Sequence, residues 1–327
     1  MKLQRMVLVT IILVTLLSAL GCSGRSKSVA SSSPGQAVSA DPFLGRWDLT
    51  LKAPDREYPS WLEIRQEDGQ LKAQMVGRWG NARPLPKIEA SDGLLTFVSP
   101  KGEEERKDDM VFQGRLVGGS LSGTTTGPDG TPWQWVGDRA PALETIQAPS
   151  WGKPVQLFNG KSLTGWKMDK AGLRPWTVRN GTLISPGNGP ELINDSKFQN
   201  FKLHIEFNCG KDANSGVYLR GRYEVQIETE SQAEPPSHHT AGIYGFLAPS
   251  PELPRKADEW QTFDITLLGR KVTVVQNGQT VIDNQEIPGI TGGALDSHEA
   301  LPGPIYLQGS EKGHVAFRNI VIIPAEK

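Results

Sequence analysis

The stretch Asn214-Ser-Gly-Val-Tyr-Leu-Arg-Gly-Arg-Tyr-Glu-Val-Gln-Ile-Glu228 decides the fold class. It reads as two short strands, with alternation over Val217 to Arg220 and again over Glu224 to Glu228. Side chains alternate between the faces of a strand, so Tyr218 shares a face with Arg220, and Glu224 shares one with Gln226 and Glu228. That is a polar wall on a sheet. Charged groups gathered on one surface cost desolvation unless they are paired, so such a wall marks a substrate-contacting surface or a solvated face laced with Arg-Glu pairs.

The rest of the chain repeats the pattern of short alternating runs. Of 327 residues, 36 are Gly and 24 Pro, and these divide the sequence too finely for long amphipathic helices. The expected class is all-β, with about two domains for this length. Lys and Arg number 35 against 36 Asp and Glu, so no basic field exists for nucleic acid.

Met1–Arg5 is a basic start and Met6–Leu20 an apolar run of signal-peptide length. Ala19-Leu-Gly-Cys22 resembles a bacterial lipobox. Residues 1–22 are therefore read as a lipoprotein signal, with Cys22 as the lipidated residue and a membrane partner through that anchor. The expected location is the bacterial cell envelope, at the outer membrane. Residues 23–40 are rich in Ser and read as a flexible tether. Cys209 is the only other cysteine and reads as a small apolar residue at a strand end.

Residues 41–138 carry seven short strand patterns with turn signals at Asp68-Gly69, Asp92-Gly93, Gly118-Gly119 and Asp129-Gly130. They predict a small antiparallel barrel or sandwich. Trp47, Trp61, Trp79, Trp133 and Trp135 fit a sugar-stacking platform or a barrel core equally well. Residues 139–152 read as a linker with little contact to either side, and 153–327 as a second region able to fold and act alone. More than ten short strands there favour a two-sheet jelly-roll sandwich. Trp166, Trp176 and Trp260 are expected between its sheets.

In that second region Leu157-Phe-Asn-Gly-Lys-Ser-Leu-Thr-Gly-Trp166, Trp176-Thr-Val-Arg-Asn-Gly-Thr-Leu183, Phe201-Lys-Leu-His-Ile-Glu-Phe207, Asn214–Arg220, Tyr223–Ile227, Gly242-Ile-Tyr-Gly245, Glu259-Trp260 and Phe317-Arg-Asn-Ile320 follow in order. Together they resemble the 3-keto-disaccharide hydrolase family. The resemblance implies a concanavalin A-like jelly roll, export, and hydrolysis of glycosides oxidised at C3. Where many members carry Asp-His-Gly after Leu307-Gln308, this chain has Gly309-Ser-Glu-Lys-Gly-His314. His314 is the only replacement for that histidine and also reads as a turn residue.

A C3 ketone acidifies the C2 proton, so one carboxylate base suffices for elimination across C1–C2, and water adds afterwards. Glu224 is the expected base and Arg220 its partner or the enolate stabiliser. Glu206, on the alternating run Leu203–Phe207, is the second catalytic candidate or part of an outer face. His238, with His239, is an acid or metal-ligand candidate. Tyr218, Gln226, Glu228, Tyr244 and Asn214 are expected to contact the carbohydrate substrate. Glu224 and Glu228 stand about 13 Å apart along an extended strand, too far for an ordinary carboxylate pair without a bulge. The chemistry requires no cofactor. A divalent metal has conceivable ligands in His238, His239, Glu228 and Asp212. The competing readings are a non-catalytic, lectin-like carbohydrate-binding lipoprotein and an envelope scaffold.

Overall fold

Two strands that lie at opposite edges of one sheet, Ala82–Pro84 and Lys87–Ser91, are separated in sequence only by Leu85-Pro86. The nine-stranded antiparallel sheet that they bound must therefore curl round until its edges meet, which makes the N-terminal region a barrel. In the computed structural model, residues 41–77, 80–101, 106–143, 149–170, 173–229, 234–310 and 312–326 are described. The signal, Cys22 and the tether lie outside them, as do Trp79 and Glu311. The barrel runs from Gly45–Lys52 to Pro132–Arg139, and these two strands pair with each other. The sequence pattern did not mark the short edge strands Ala82–Pro84 and Lys87–Ser91. Trp47, Trp61 and Trp135 are wholly buried and Trp133 nearly so. These four tryptophans are core residues and form no sugar-stacking surface.

The second region is a two-sheet jelly roll. One sheet has five strands in the order Trp166–Met168, Leu192–Asn194, Tyr306–Leu307, Asn214–Leu219 and Tyr223–Glu228. The other has eight, centred on Val315–Pro324, Phe201–Cys209 and Trp260–Leu268. The alternation foreseen from sequence fills the space between them: Leu203, Ile205, Phe207, Phe263 and Ile265 face Val217, Leu219, Val225 and Ile227 in one core cluster. Trp166 and Trp176 are buried in it. Trp260 is instead partly exposed, with the Arg318 guanidinium 3.9 Å above its ring. The segment 242–244 is irregular and bridges to the edge strand between Val225 and Ile243.

Barrel and jelly roll share a buried contact, contrary to the expectation of a second region held only by a linker. Trp61 and Val76 of the barrel belong to the jelly-roll core cluster. The Trp61 ring meets Phe246 edge-on at 5.4 Å. Around this apolar centre, Arg46 bonds Glu286 at 2.5 Å and Thr50 bonds Ser297 at 2.5 Å. Asp48 of the barrel also bonds Glu299 of the jelly roll, and burial pushes its carboxyl up to about 9. This contact matters to the functional face, because a barrel packed on the jelly roll covers what would otherwise be a solvated strand face.

Candidate functional site

All six residues of Tyr223–Glu228 are buried. Tyr223, Val225 and Ile227 are explained by the core between the sheets. Glu224, Gln226 and Glu228 point the other way, and the segment that follows Thr240 extends the sheet at their edge. That segment hydrogen-bonds along the edge through Ala241 N to Gln226 O, Gln226 N to Gly242 O, and Tyr244 N to Glu224 O. A cavity of about 200 Å³ lies over the polar wall. It is lined by Asn214, Tyr218, Glu224, Gln226 and Tyr244, five of the residues singled out from sequence. Gly80, Gly292, Gly293 and Gln308 complete it.

Glu224 is 3% exposed. Desolvation pushes its carboxyl up to about 8; the Tyr218 bond opposes the rise and the nearby charge of Glu191 adds to it. The hydrogen-bond geometry points the same way. Tyr218 Oη lies 2.8 Å from Glu224 Oε2 and 2.9 Å from Gly292 O. A phenol has one proton to give, and a peptide carbonyl only accepts. Both contacts are hydrogen bonds when Glu224 is protonated and donates to Tyr218, which donates to Gly292 O. Once Glu224 ionises, the phenol must turn to it and release Gly292 O. Room for this carboxyl comes from Gly216 on the neighbouring strand, where a β-carbon would collide with Glu224 Oε1.

A second carboxyl belongs to the same face. Glu191 immediately precedes Leu192–Asn194, and the register Ile193↔Tyr306, Tyr306↔Tyr218, Tyr218↔Glu224 runs straight across four neighbouring strands. Glu191, Tyr306, Tyr218 and Glu224 form a row in which the two tyrosine rings stack 4.2 Å apart. The Gly309 amide donates to Glu191 Oε2 at 2.8 Å, and Tyr306 also bonds this carboxyl. Burial nevertheless pushes Glu191 up to about 7. Sequence reading missed Glu191 because it stands 33 residues from Glu224 at the start of a short strand; its position before a strand beside the run after Gln308 was the only available signal. The Gly309 run thus holds this second carboxyl through its backbone.

Other expected site residues lie elsewhere. Arg220 is not on the polar wall. It has φ +53° and, with Gly221 at +68°, forms the hairpin turn, so the strand's alternation ends at Leu219. Its guanidinium is wholly buried, donating to Tyr223 Oη at 2.7 Å and to Gly269 O at 3.2 Å. Glu206 lies on the outer face of the eight-stranded sheet, where Arg318 Nε donates to it at 2.6 Å and Asn319 Nδ2 at 2.5 Å. Burial opposes these bonds, but their net effect holds Glu206 below its ordinary range.

Glu228 faces the wall side but is held by Arg255 Nη1 at 2.6 Å and does not line the cavity. His238 stacks on Tyr244 at 4.2 Å, with Nδ1 3.0 Å from Glu234 Oε2. It therefore supports a cavity residue from behind. His239 Nδ1 lies 2.9 Å from Glu252 Oε1. With the two histidines turned to different carboxylates and Glu228 held by Arg255, the conceived metal-ligand set does not come together. Among the described residues no cluster of three or more His, Cys, Asp or Glu is placed to hold a metal. His314 is exposed, 3.6 Å from Asp258, and does not line the cavity.

Residues 153–323 match the 3-keto-alpha-glucoside-1,2-lyase-like domain, a match that spans more than half the chain. The chain belongs to that family. A relative from Bacteroides thetaiotaomicron, a 3-keto-disaccharide hydrolase, is 28% identical over 93 residues, which cover 24% of this chain and 32% of that one. This chain thus matches about a third of the relative's length. A solved structure described as a glycosyl hydrolase from Parabacteroides distasonis is 25% identical, covers 56% of this chain and 93% of its own, and has a TM-score of 0.43. A non-specific endo-β-1,3(4)-glucanase has 13% identity over 57% of this chain and 96% of its own, with a TM-score of 0.32. The family domain contains Glu191, Glu224 and both tyrosines, while the barrel lies outside the match. The family is glycoside-hydrolase-like, and its domain here carries a polar cavity lined by Glu224, with Glu191 beside it.

Proposed function

We propose that this protein hydrolyses 3-keto-glycosides, with Glu224 as the base that takes the C2 proton. The observation that carries the reading is the row of Glu191, Tyr306, Tyr218 and Glu224: two carboxyls raised by burial, each bonded to one of two stacked phenols. Ionised Glu224 breaks the C2–H bond and takes the proton, and the electron pair passes to the C3 oxygen. The Tyr218 hydroxyl, which has a choice of partners, is the donor nearest that developing charge. As the enolate collapses, the C1–O bond breaks, and the departing oxygen takes a proton from the acid form of Glu191. Water then adds at C1 and gives its proton to the Glu191 carboxylate while Glu224 returns its proton to C2, so a hydrolysis results with both carboxyls restored. Gln226, Gln308 and Asn214 are the amides available to hold ring hydroxyls.

The active form needs Glu224 ionised and Glu191 protonated, the less populated of the two singly protonated states because burial raises Glu224 further, so the rate should be bell-shaped in pH with limbs at about 7 and about 8. These limbs belong to the pair rather than to either residue. The test is turnover of a chromogenic 3-keto-glucoside against the unoxidised glucoside, with a C2-deuterated substrate in parallel. Turnover of the keto sugar alone, with a primary isotope effect, is expected. Equal cleavage of both sugars would overturn the reading. So would glycan binding without turnover, which would favour a lectin-like role.

We further propose that Cys22 is acylated and holds the enzyme at the cell envelope, on the strength of the lipobox-like Ala19–Cys22 sequence. Labelling with a fatty-acid probe tests this: the natural chain should be marked and Cys22→Ser should not.

A further inference from the structure

A second cavity, of about 110 Å³, opens beside the first. The two share Gly293, and the stacked tyrosines connect them: Tyr218 lines the first cavity and Tyr306 the second. Its jelly-roll side includes Asp169, Lys170 and Glu191, while Arg56, Glu57, Tyr58 and Pro59 of the barrel form its other wall. The barrel also reaches the first cavity through Gly80. That approach depends on bare backbone, since a β-carbon on Gly292 would collide with Gly80, and one on Gly245 with Asn81. Each cavity is therefore bounded on one side by residues outside the family domain.

We propose that the barrel builds the leaving-group subsite: the second cavity holds the unit attached at C1 while the reacting ring lies against Glu224. This rests on the hydrolase reading above and deepens it. Glu191, assigned there to protonate the departing oxygen, lines the second cavity. The leaving group must therefore pass that wall.

The lining also indicates the kind of group received. Arg56 and Lys170 bring donors, Glu57 and Asp169 bring acceptors, and Lys170 already lies 3.8 Å from Asp169. A balanced set of donors and acceptors suits a neutral, polyhydroxylated ring better than an anion or an alkyl chain. The size limits its length. Cavities of about 200 and 110 Å³ stand, together, at the low end of the about 300–1,000 Å³ typical of small-molecule pockets. With Gly80 and Arg56–Pro59 as walls, the site takes two rings and excludes an extended glycan.

The experiment uses the full chain and two substrates, a 3-keto-disaccharide and methyl 3-keto-glucoside, which lacks the second ring. Arg56 is exposed, so Arg56→Ala should fold. Losing its hydrogen bonds to the second ring should lower the ratio of kcat/KM for disaccharide over methyl glycoside about tenfold, chiefly through KM. Lys72→Ala, on an exposed barrel residue that lines neither cavity, should leave the ratio as it is. An unchanged ratio in Arg56→Ala overturns the subsite. Calorimetry with the unoxidised disaccharide and its monosaccharide separates this result from failure of the enzymatic reading. If the wild type turns over no 3-keto-glycoside, tighter disaccharide binding that is lost in Arg56→Ala still supports the subsite. Equal binding of the two sugars overturns it.

Discussion

Glu224→Gln should inactivate the enzyme and, at neutral and alkaline pH, make the protein more stable. Glu224 has its carboxyl raised by burial from the usual 4.5 to about 8. Between those values the folded state keeps a proton that the unfolded chain has lost. Wild-type stability must therefore fall as pH rises through that window, by about 1.4 kcal/mol per pH unit, and level off above it. The accumulated penalty is about 3 kcal/mol at pH 7 and about 5 kcal/mol by pH 9. A glutamine has nothing to titrate. Its amide can donate to Tyr218 Oη as the protonated acid does, so the phenol keeps its bond to Gly292 O.

Denaturant unfolding of both proteins at fixed ionic strength from pH 5 to 9 measures the difference directly. The other raised carboxyls, Glu191 and Asp48, occur in both chains and largely cancel. The two proteins should agree within about 1 kcal/mol at pH 5, and the variant should lead by a growing margin up to pH 8. A difference that stays flat with pH, or a variant that loses ground as pH rises, would refute the assignment of a buried, protonated Glu224.

Gly216→Ala places a methyl group against the Glu224 carboxyl and should cost about 1–3 kcal/mol in unfolding experiments, with a loss of turnover well beyond the loss of folded protein. A fragment of residues 151–327 would lose Trp61 from its core and Gly80 from its cavity. It should melt lower than the full chain and have little activity, as thermal unfolding and turnover of the purified fragment would show. Asp48→Asn retains a donor toward Glu299 without a titrating group, so it should abolish the part of the alkaline destabilisation that comes from Asp48, raised to about 9. Unfolding at pH 7 and pH 10 checks this.

The sequence by itself determined the local architecture. Alternation by two is a property of any extended strand, and Val217, Leu219, Val225 and Ile227 accordingly take the core side, opposite the polar face. The same rule put Tyr218, Glu224 and Gln226 on one polar face, where they now line one cavity. The rule failed at Arg220, where a positive φ in the turn ends the alternation and sends the guanidinium into the interior. Only the tertiary structure decided what lies beside and above that face. Strand order in a sheet is set by packing of the whole chain, so Tyr306 came into register with Tyr218, and Glu191 within bonding distance of Tyr306, from distant parts of the sequence. Periodicity could not show that the barrel would seat Gly80 and Trp61 on the jelly roll. The protonation of Glu224 follows from that enclosure, because a carboxyl gives up its charge when water is removed from around it.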